Sequence, residues 1–339
     1  MNKSSLPKNI ALTLLGSVII LLVIDIAITK YITKDEPPRN REVLSGIEID
    51  RSFHSALKNY GFSDNWISKR KIKNISGDSL FAAYSVKVPK DVPIQLLILE
   101  LKNIFWDDDV LVEAEEITAG KKSLVKLSSE NKLKLAAEFA YDESVIRQFG
   151  TVAFLVNDLP LQDEEILNSF LKTPELFYTV LTPKEESKKR LSQISKAGKR
   201  FTLMLDDNIT ELNYKLSDSY SDDKIKKSIK EIAGTFYNAA FFIIDDKSDL
   251  FESKKYSLIH SELLKRGITL VKLSKFETLS SSKINIADKF QDFMLTVKKN
   301  DEKILLVSAN DFLIISTIIP SYRKTGYKFI YPGDIIIKR

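Results

Sequence analysis

Three separate stretches of this sequence share one pattern: an unbroken apolar run, rich in β-branched or aromatic residues, that stops abruptly on an asparagine or aspartate. They are TVAFLVNDLP at 151–160, RFTLMLDDN at 200–208 and AAFFIIDDKSD at 239–249. Uninterrupted apolar residues describe strands buried on both faces. The residues just past the carboxyl ends of such strands are where α/β folds place their chemistry. Three strands are therefore expected to deliver Asp158, Asp206, Asp207, Asp245 and Asp246 to one face of one domain.

The surrounding sequence alternates in the same way. Helical patterns fall at 162–171, 184–197, 222–237, 254–265, 287–298 and 312–322, with Gly198 and Gly267 as stops. Further strands are expected at 176–181, 268–273, 303–309 and 327–332. Strands alternating with helices through short connections imply a parallel sheet or barrel, and about seven such units fit an incomplete barrel better than a closed eightfold one. Before this region, residues 43–142 change period. Ile47, Ile49, Phe53, Leu57 and Tyr60 keep helical spacing up to Gly61, a second helix is predicted at 92–105, and strands at 80–88, 111–117, 123–127 and 132–139. This reads as a small α+β domain with an antiparallel sheet.

At the N-terminus, a tail at 1–9 leads into IALTLLGSVIILLVIDIAI, an apolar run long enough for a helix to cross the roughly 30 Å hydrocarbon core. The expected anchor spans 10–29 and is followed by TKYITK without a small-x-small cleavage site, so it is read as uncleaved. Asp25 lies inside it, where a carboxylate either contacts a polar partner helix or is hydrated near the interface. Residues 30–42 form a polar, proline-stiffened linker. Lys3 and Lys8 precede the span while Lys30, Lys34, Arg39 and Arg41 follow it, so basic residues alone favour a cytoplasmic body, although large domains translocate with little regard to flanking charge.

Composition excludes several chemistries. With no cysteine among 339 residues, there is no disulfide, thiolate nucleophile or cysteine–zinc site. Lys and Arg total 51 against 46 Asp and Glu, and the basic runs lack interleaved aromatics, so nucleic acid is not an expected partner. The only histidines are His54 and His260, both in predicted helices. Phe177, Tyr178 and Tyr220 lie near strand ends, where aromatics either stack on sugar rings or fill the core.

The order of these segments over 149–335 resembles the divergent polysaccharide deacetylase family, a remote branch of the NodB-like carbohydrate esterases. Asn157-Asp158-Leu159-Pro160 is similar to the family's Asp-Asp-Leu-Gly-like strand end. Leu181-Thr182-Pro183 is similar to its proline turn, and Ala197-Gly198 stands before a strand in which Met204 occupies the place of a histidine. Phe242-Ile243-Ile244-Asp245-Asp246-Lys247-Ser248 resembles a third motif, and Val307-Ser308-Ala309 a strand ending in Gly-His, with Ala309 in the histidine's place.

The resemblance implies a NodB-like incomplete (β/α)7 barrel at 149–337, in an exported, single-pass protein whose body lies outside the cytoplasm. It also implies a metal-assisted deacetylase site held by an aspartate and two histidines. The aspartate is matched by Asp158, but the base position is Asn157 and both histidine positions are apolar. The expected reading is a catalytically inactive envelope scaffold or binding module for a glycan or an envelope protein, without a cofactor. The alternative is an enzyme with a rebuilt carboxylate site, in which Asp158, Asp206, Asp207, Asp245 and Asp246 meet, Asp158, Asp206 and Asp245 hold Mg²⁺ or Ca²⁺, and Lys247 is the binding residue that supplies the counter-charge if no metal is held. The bland counterpart is that these aspartates cap helices and make turns.

Overall fold

The structure is a computed structural model and describes residues 42–69, 80–147, 149–281 and 285–337. The apolar run with Asp25, and the linker up to residue 41, lie outside the described residues. Among the described residues no helix is long and apolar enough to cross a membrane. The chain divides into two compact units, one made of residues up to Ala56 with Asp64–Asp142, the other of Leu57–Ser63 with Glu143–Arg339.

The first unit contains α1 (Gly46–Asn59) as far as Ala56, β1 (Ile67–Lys69), β2 (Ala82–Val88), α2 (Ile94–Ile104), β3 (Val110–Thr118), β4 (Lys122–Ser129) and β5 (Lys132–Tyr141). Helix α1 starts on a reciprocal cap: the Ser45 hydroxyl accepts from the Glu48 amide at 3.3 Å and the Glu48 carboxylate from the Ser45 amide at 2.8 Å. Glu130 and Asn131 both take positive φ, the backbone that a two-residue hairpin between β4 and β5 requires. The sheet order is β1-β2-β5-β4-β3. The expected antiparallel sheet is corrected in one place, because β2 and β5 run parallel, joined through α2, β3 and β4. In its core Phe53 stacks on Tyr84 at 5.6 Å, and the Tyr84 hydroxyl donates to Asp50 at 2.6 Å. His54 packs edge-on to Tyr84 with Nδ1 2.9 Å from the Asp50 carbonyl, a packing role.

The second unit alternates β6 (Thr151–Asn157), α3 (Glu164–Leu171), β7 (Tyr178–Leu181), α4 (Glu185–Lys196), β8 (Arg200–Leu205), α5 (Asp222–Thr235) and β9 (Phe242–Ile244). It continues through α6 (Asp249–Glu252), α7 (Tyr256–Leu264), β10 (Leu270–Lys272), β11 (Glu277–Thr278), α8 (Ile286–Thr296), β12 (Glu302–Ser308), α9 (Ala309–Thr325), β13 (Lys328–Ile330) and α10 (Pro332–Ile336). The strands form one sheet in the order β10-β9-β8-β7-β6-β12-β11, with β13 also on β6, and every pairing is parallel. The unit is an α/β fold. Its sheet curls until residues of both edges, β10 and β11, line a single cleft of about 640 Å³.

Strand β6 is the centre. Val152, Phe154 and Val156 enter an outer core against the helices, while Ala153 and Leu155 enter an inner core on the concave face. This is why its apolar run is continuous. β12 pairs along one edge of β6 from Thr151 to Asn157; the other edge is shared by β13, at Thr151–Ala153, and β7, at Leu155–Val156.

The last segment departs from its sequence expectation. Its strand stops at Ile330, and Pro332 opens a short helix, a position where its missing amide costs nothing. Ile335 and Ile336 of α10 pack on the inner core. Gly333 is required there, since a Cβ would fall 2.6 Å from the hydroxyl of buried Tyr178.

Helix α7 ends on a buried carboxylate. Glu262 is bridged by Lys265 Nζ and by Arg266 Nη1, each at 2.7 Å, and these contacts hold its pKa down at about 2. A carboxylate depressed on folding stabilises the fold above its unfolded pKa, and that contribution is lost as pH falls through the folded value. Melting temperatures of the parent and Glu262→Gln should therefore differ most above pH 5 and converge as pH falls from about 4.3 towards 2. A gap that stays constant with pH would show that the ion pairs carry no linkage.

Candidate functional site

Side chains alternate across a strand, so the inner core fixes which residues face inward at the carboxyl ends. Ala153 and Leu155 lead to Asn157; Met204 is itself part of the inner layer; Ile243 leads to Asp245; Ile304 and Leu306 lead to Ser308. Ala309, aligned by sequence with the family histidine, instead points the other way and is 3% exposed in the outer core. Ser308 is the inward residue of that strand end. Its hydroxyl caps α9 by accepting from the Asp311 amide at 3.2 Å.

The five strand-end aspartates do not converge. Among the described residues no group of three or more His, Asp or Glu could hold a metal ion. The predicted ligand set Asp158, Asp206 and Asp245 is thus three separate carboxylates, and Asp206 and Asp245 are explained locally. Asp206 accepts from the Asn208 amide at 2.9 Å. Asp207 takes the first amides of α6, from Asp249 at 2.8 Å and Leu250 at 2.9 Å. Asp245 accepts from the Lys247 amide at 3.0 Å, so Lys247 contributes backbone to a turn. Asp246 is tied to the hydroxyl and amide of Ser274, and the hydroxyl bond first of all pulls its pKa below the ordinary carboxylate range.

Asp158 differs from the others. It is exposed, holds a left-handed backbone with φ of +53°, and stands on a cleft of about 450 Å³ at the ends of β6 and β7. Asparagine and aspartate tolerate this conformation best among residues with a Cβ. The cleft has an apolar floor of Leu159, Pro160, Val180 and Leu181 and a polar wall that includes Gln162, Thr182, Lys184 and Glu186. Its loop is clamped by Arg190, which donates to the Leu161 carbonyl at 2.9 Å and to Glu164 at 3.0 Å. Asp163 is spent capping α3 through the Ile166 amide at 2.9 Å. The sequence signals this wall only through Pro183, because Lys184 and Glu186 look like ordinary residues of a solvated helix start.

Chemically, the cleft offers hydrogen-bond donors and acceptors over an apolar base, which suits binding of a polar, partly apolar ligand. Neither histidine is near it in sequence or on its wall: His54 belongs to the first unit and His260 is exposed on α7. Of the aromatics expected near strand ends, Phe177 is 0% and Tyr178 is 1% exposed, so both are core and not sugar platforms. Tyr220 is half-buried against the outer core, with Lys224 Nζ 5.7 Å from its ring centre.

No protein-family model matches the chain, and no curated protein matches it. Solved structures to which it is similar include CE4 family carbohydrate esterases and a CE4 family pseudoenzyme. Wild-type BA3943 of Bacillus anthracis, a CE4 family pseudoenzyme, is 12% identical with a TM-score of 0.37, over 66% of this chain and 88% of that one. PdaA of Bacillus subtilis, a family 4 carbohydrate esterase, is 12% identical with a TM-score of 0.34, over 56% and 81%. The Xyl-CE4 domain of a xylanase from the hindgut metagenome of Trinervitermes trinervoides is 10% identical with a TM-score of 0.36, over 56% and 90%.

Proposed function

We propose that this is a membrane-anchored, catalytically inactive polysaccharide deacetylase-like protein of the cell envelope. In this reading residues 10–29 anchor the chain, and the body lies outside the cytoplasm. The second unit is a NodB-like incomplete (β/α)7 barrel that keeps the cleft beside Asp158 to bind an envelope glycan or protein. One observation carries the loss of catalysis. The inward strand-end positions hold Asn157, Met204, Asp245 and Ser308, and Asp245 is held in a turn with Asp206, Asp207 and Asp246 likewise tied into turns and caps. A carboxamide cannot take a proton from water at neutral pH, and neither a thioether nor a capping hydroxyl replaces a metal-binding imidazole. The rebuilt-site alternative needs convergent carboxylates, and the local partners of Asp206, Asp207, Asp245 and Asp246 weigh against it.

The test is to incubate the purified protein with acetylated chitooligosaccharide or peptidoglycan and Mg²⁺, Ca²⁺ or Zn²⁺, measuring both acetate release and glycan retention. The expected outcome is retention without acetate, with retention weakened at least about tenfold in Asp158→Ala, the effect of removing a charged hydrogen-bond partner worth about 1.5 kcal/mol or more. Acetate release that disappears in Asp158→Asn would overturn the inactive reading in favour of an enzyme.

A further inference from the structure

The described structure begins at Glu42, and residues 30–41 separate it from the end of the predicted membrane span. Fully extended, a connection of that length reaches no further than about 40 Å, so the first unit is held close to any bilayer the span enters. Around this point of entry the unit exposes large apolar side chains. Val43 is 51%, Ile47 58%, Phe81 47% and Trp106 62% exposed. Backbone contacts bring them together in two pairs, Val43 with the Trp106 turn and Ile47 with Phe81. Glu42 bridges to Asp108 and accepts from the Asp109 amide at 3.0 Å, which sets the Trp106 turn beside Val43. A Cβ on Gly46 would fall 2.6 Å from the Phe81 Cβ, so Phe81 lies on the first turn of α1, next to Ile47.

Single exposed hydrophobics are ordinary, whereas a group containing an indole and a phenyl ring marks an interaction surface. Indoles partition to the boundary between headgroups and acyl chains, where one edge is wet and the ring is not. We infer that this face of the first unit rests in the interface of the bilayer that anchors the chain, with Trp106 and Phe81 as its aromatic contacts. The inference rests on the anchor proposed above. Asp107, Asp108 and Asp109 adjoin Trp106, so the face suits zwitterionic lipid and not anionic headgroups.

The test uses full-length protein in phosphatidylcholine vesicles with or without bromine on the upper acyl chain. The chain has two tryptophans, and Trp66 is buried, so the emission lost in Trp106→Phe reports Trp106 alone. Brominated lipid is expected to lower that component at least about twofold, and Val43→Ser with Ile47→Ser to abolish most of the quenching. Protein that floats with the vesicles while Trp106 stays unquenched would overturn the inference and leave the anchor standing. If acrylamide in the aqueous phase then also fails to reach Trp106, a protein surface covers it. Protein that does not float with the vesicles would remove the anchor, and the inference with it.

Discussion

Arg323→Ala is expected to destabilise the second unit by about 3 kcal/mol, the lower end of the range for stranding one partner of a buried ion pair. Arg323, at the end of α9, reaches Glu175 at 2.5 Å, and Glu175 is 4% exposed. The guanidinium is half-exposed, which is why the lower end applies. The carboxylate stands in the 173–177 segment, ahead of β7, whose backbone is also pinned by Lys199: Nζ donates to the Thr173 carbonyl at 2.6 Å and the Glu175 carbonyl at 2.9 Å. Burial lowers the Lys199 pKa, and Glu175 partly offsets it. Urea unfolding followed by circular dichroism gives the first number, and the Glu175→Gln background gives the second. There, Arg323→Ala should cost no more than about 1 kcal/mol, because the stranded group is no longer a charge. Equal losses in both backgrounds would mean that Arg323 acts by packing alone.

Phe312→Ala should cost about 3–5 kcal/mol, the usual penalty for emptying a fully buried aromatic site. Phe312 is 0% exposed and its ring lies 5.2 Å from Phe154, 4.9 Å from Phe177 and 6.2 Å from Phe170. These four rings join β6, α3, α9 and the approach to β7. Aromatic pairs at such separations add to the area they bury. Phe312→Leu should lose less than half as much in the same urea titration. A Phe312→Ala protein within about 1 kcal/mol of the parent would show that the outer core collapses around the gap.

Elements with a local cause were legible in the sequence. The apolar runs at β6, β8 and β9 announce strands because both faces are buried, and Gly198 and Gly267 end helices at φ of +71° each. Illegible features depend on partners distant in the chain. Both residues of β11 are exposed, so nothing apolar marks it as a strand. The parallel β2–β5 pairing follows from which strand the crossover meets, and no residue in either strand encodes it. The aspartates look like a site because their takers, Ser274 for Asp246 and the amides of Asp249 and Leu250 for Asp207, lie in other segments. Ser308 and Ala309 serve opposite faces of the sheet, a difference of one position that the apolar pattern of the strand does not show.

The shared edge of β6 also sets a timetable for synthesis. Thr151 has its register partners in Glu302 and Lys328, which follow it by about 150 residues or more. While a ribosome is still adding those residues, the central strand of the unit has only its short ladder with β7 to hold. Its remaining backbone donors and acceptors stay unpaired until β12 and then β13 emerge, so the unit completes its sheet only after Ile330 has been added. During that interval the nascent chain carries an apolar, open-edged strand, the state in which newly made polypeptides depend on holding factors to stay out of aggregates.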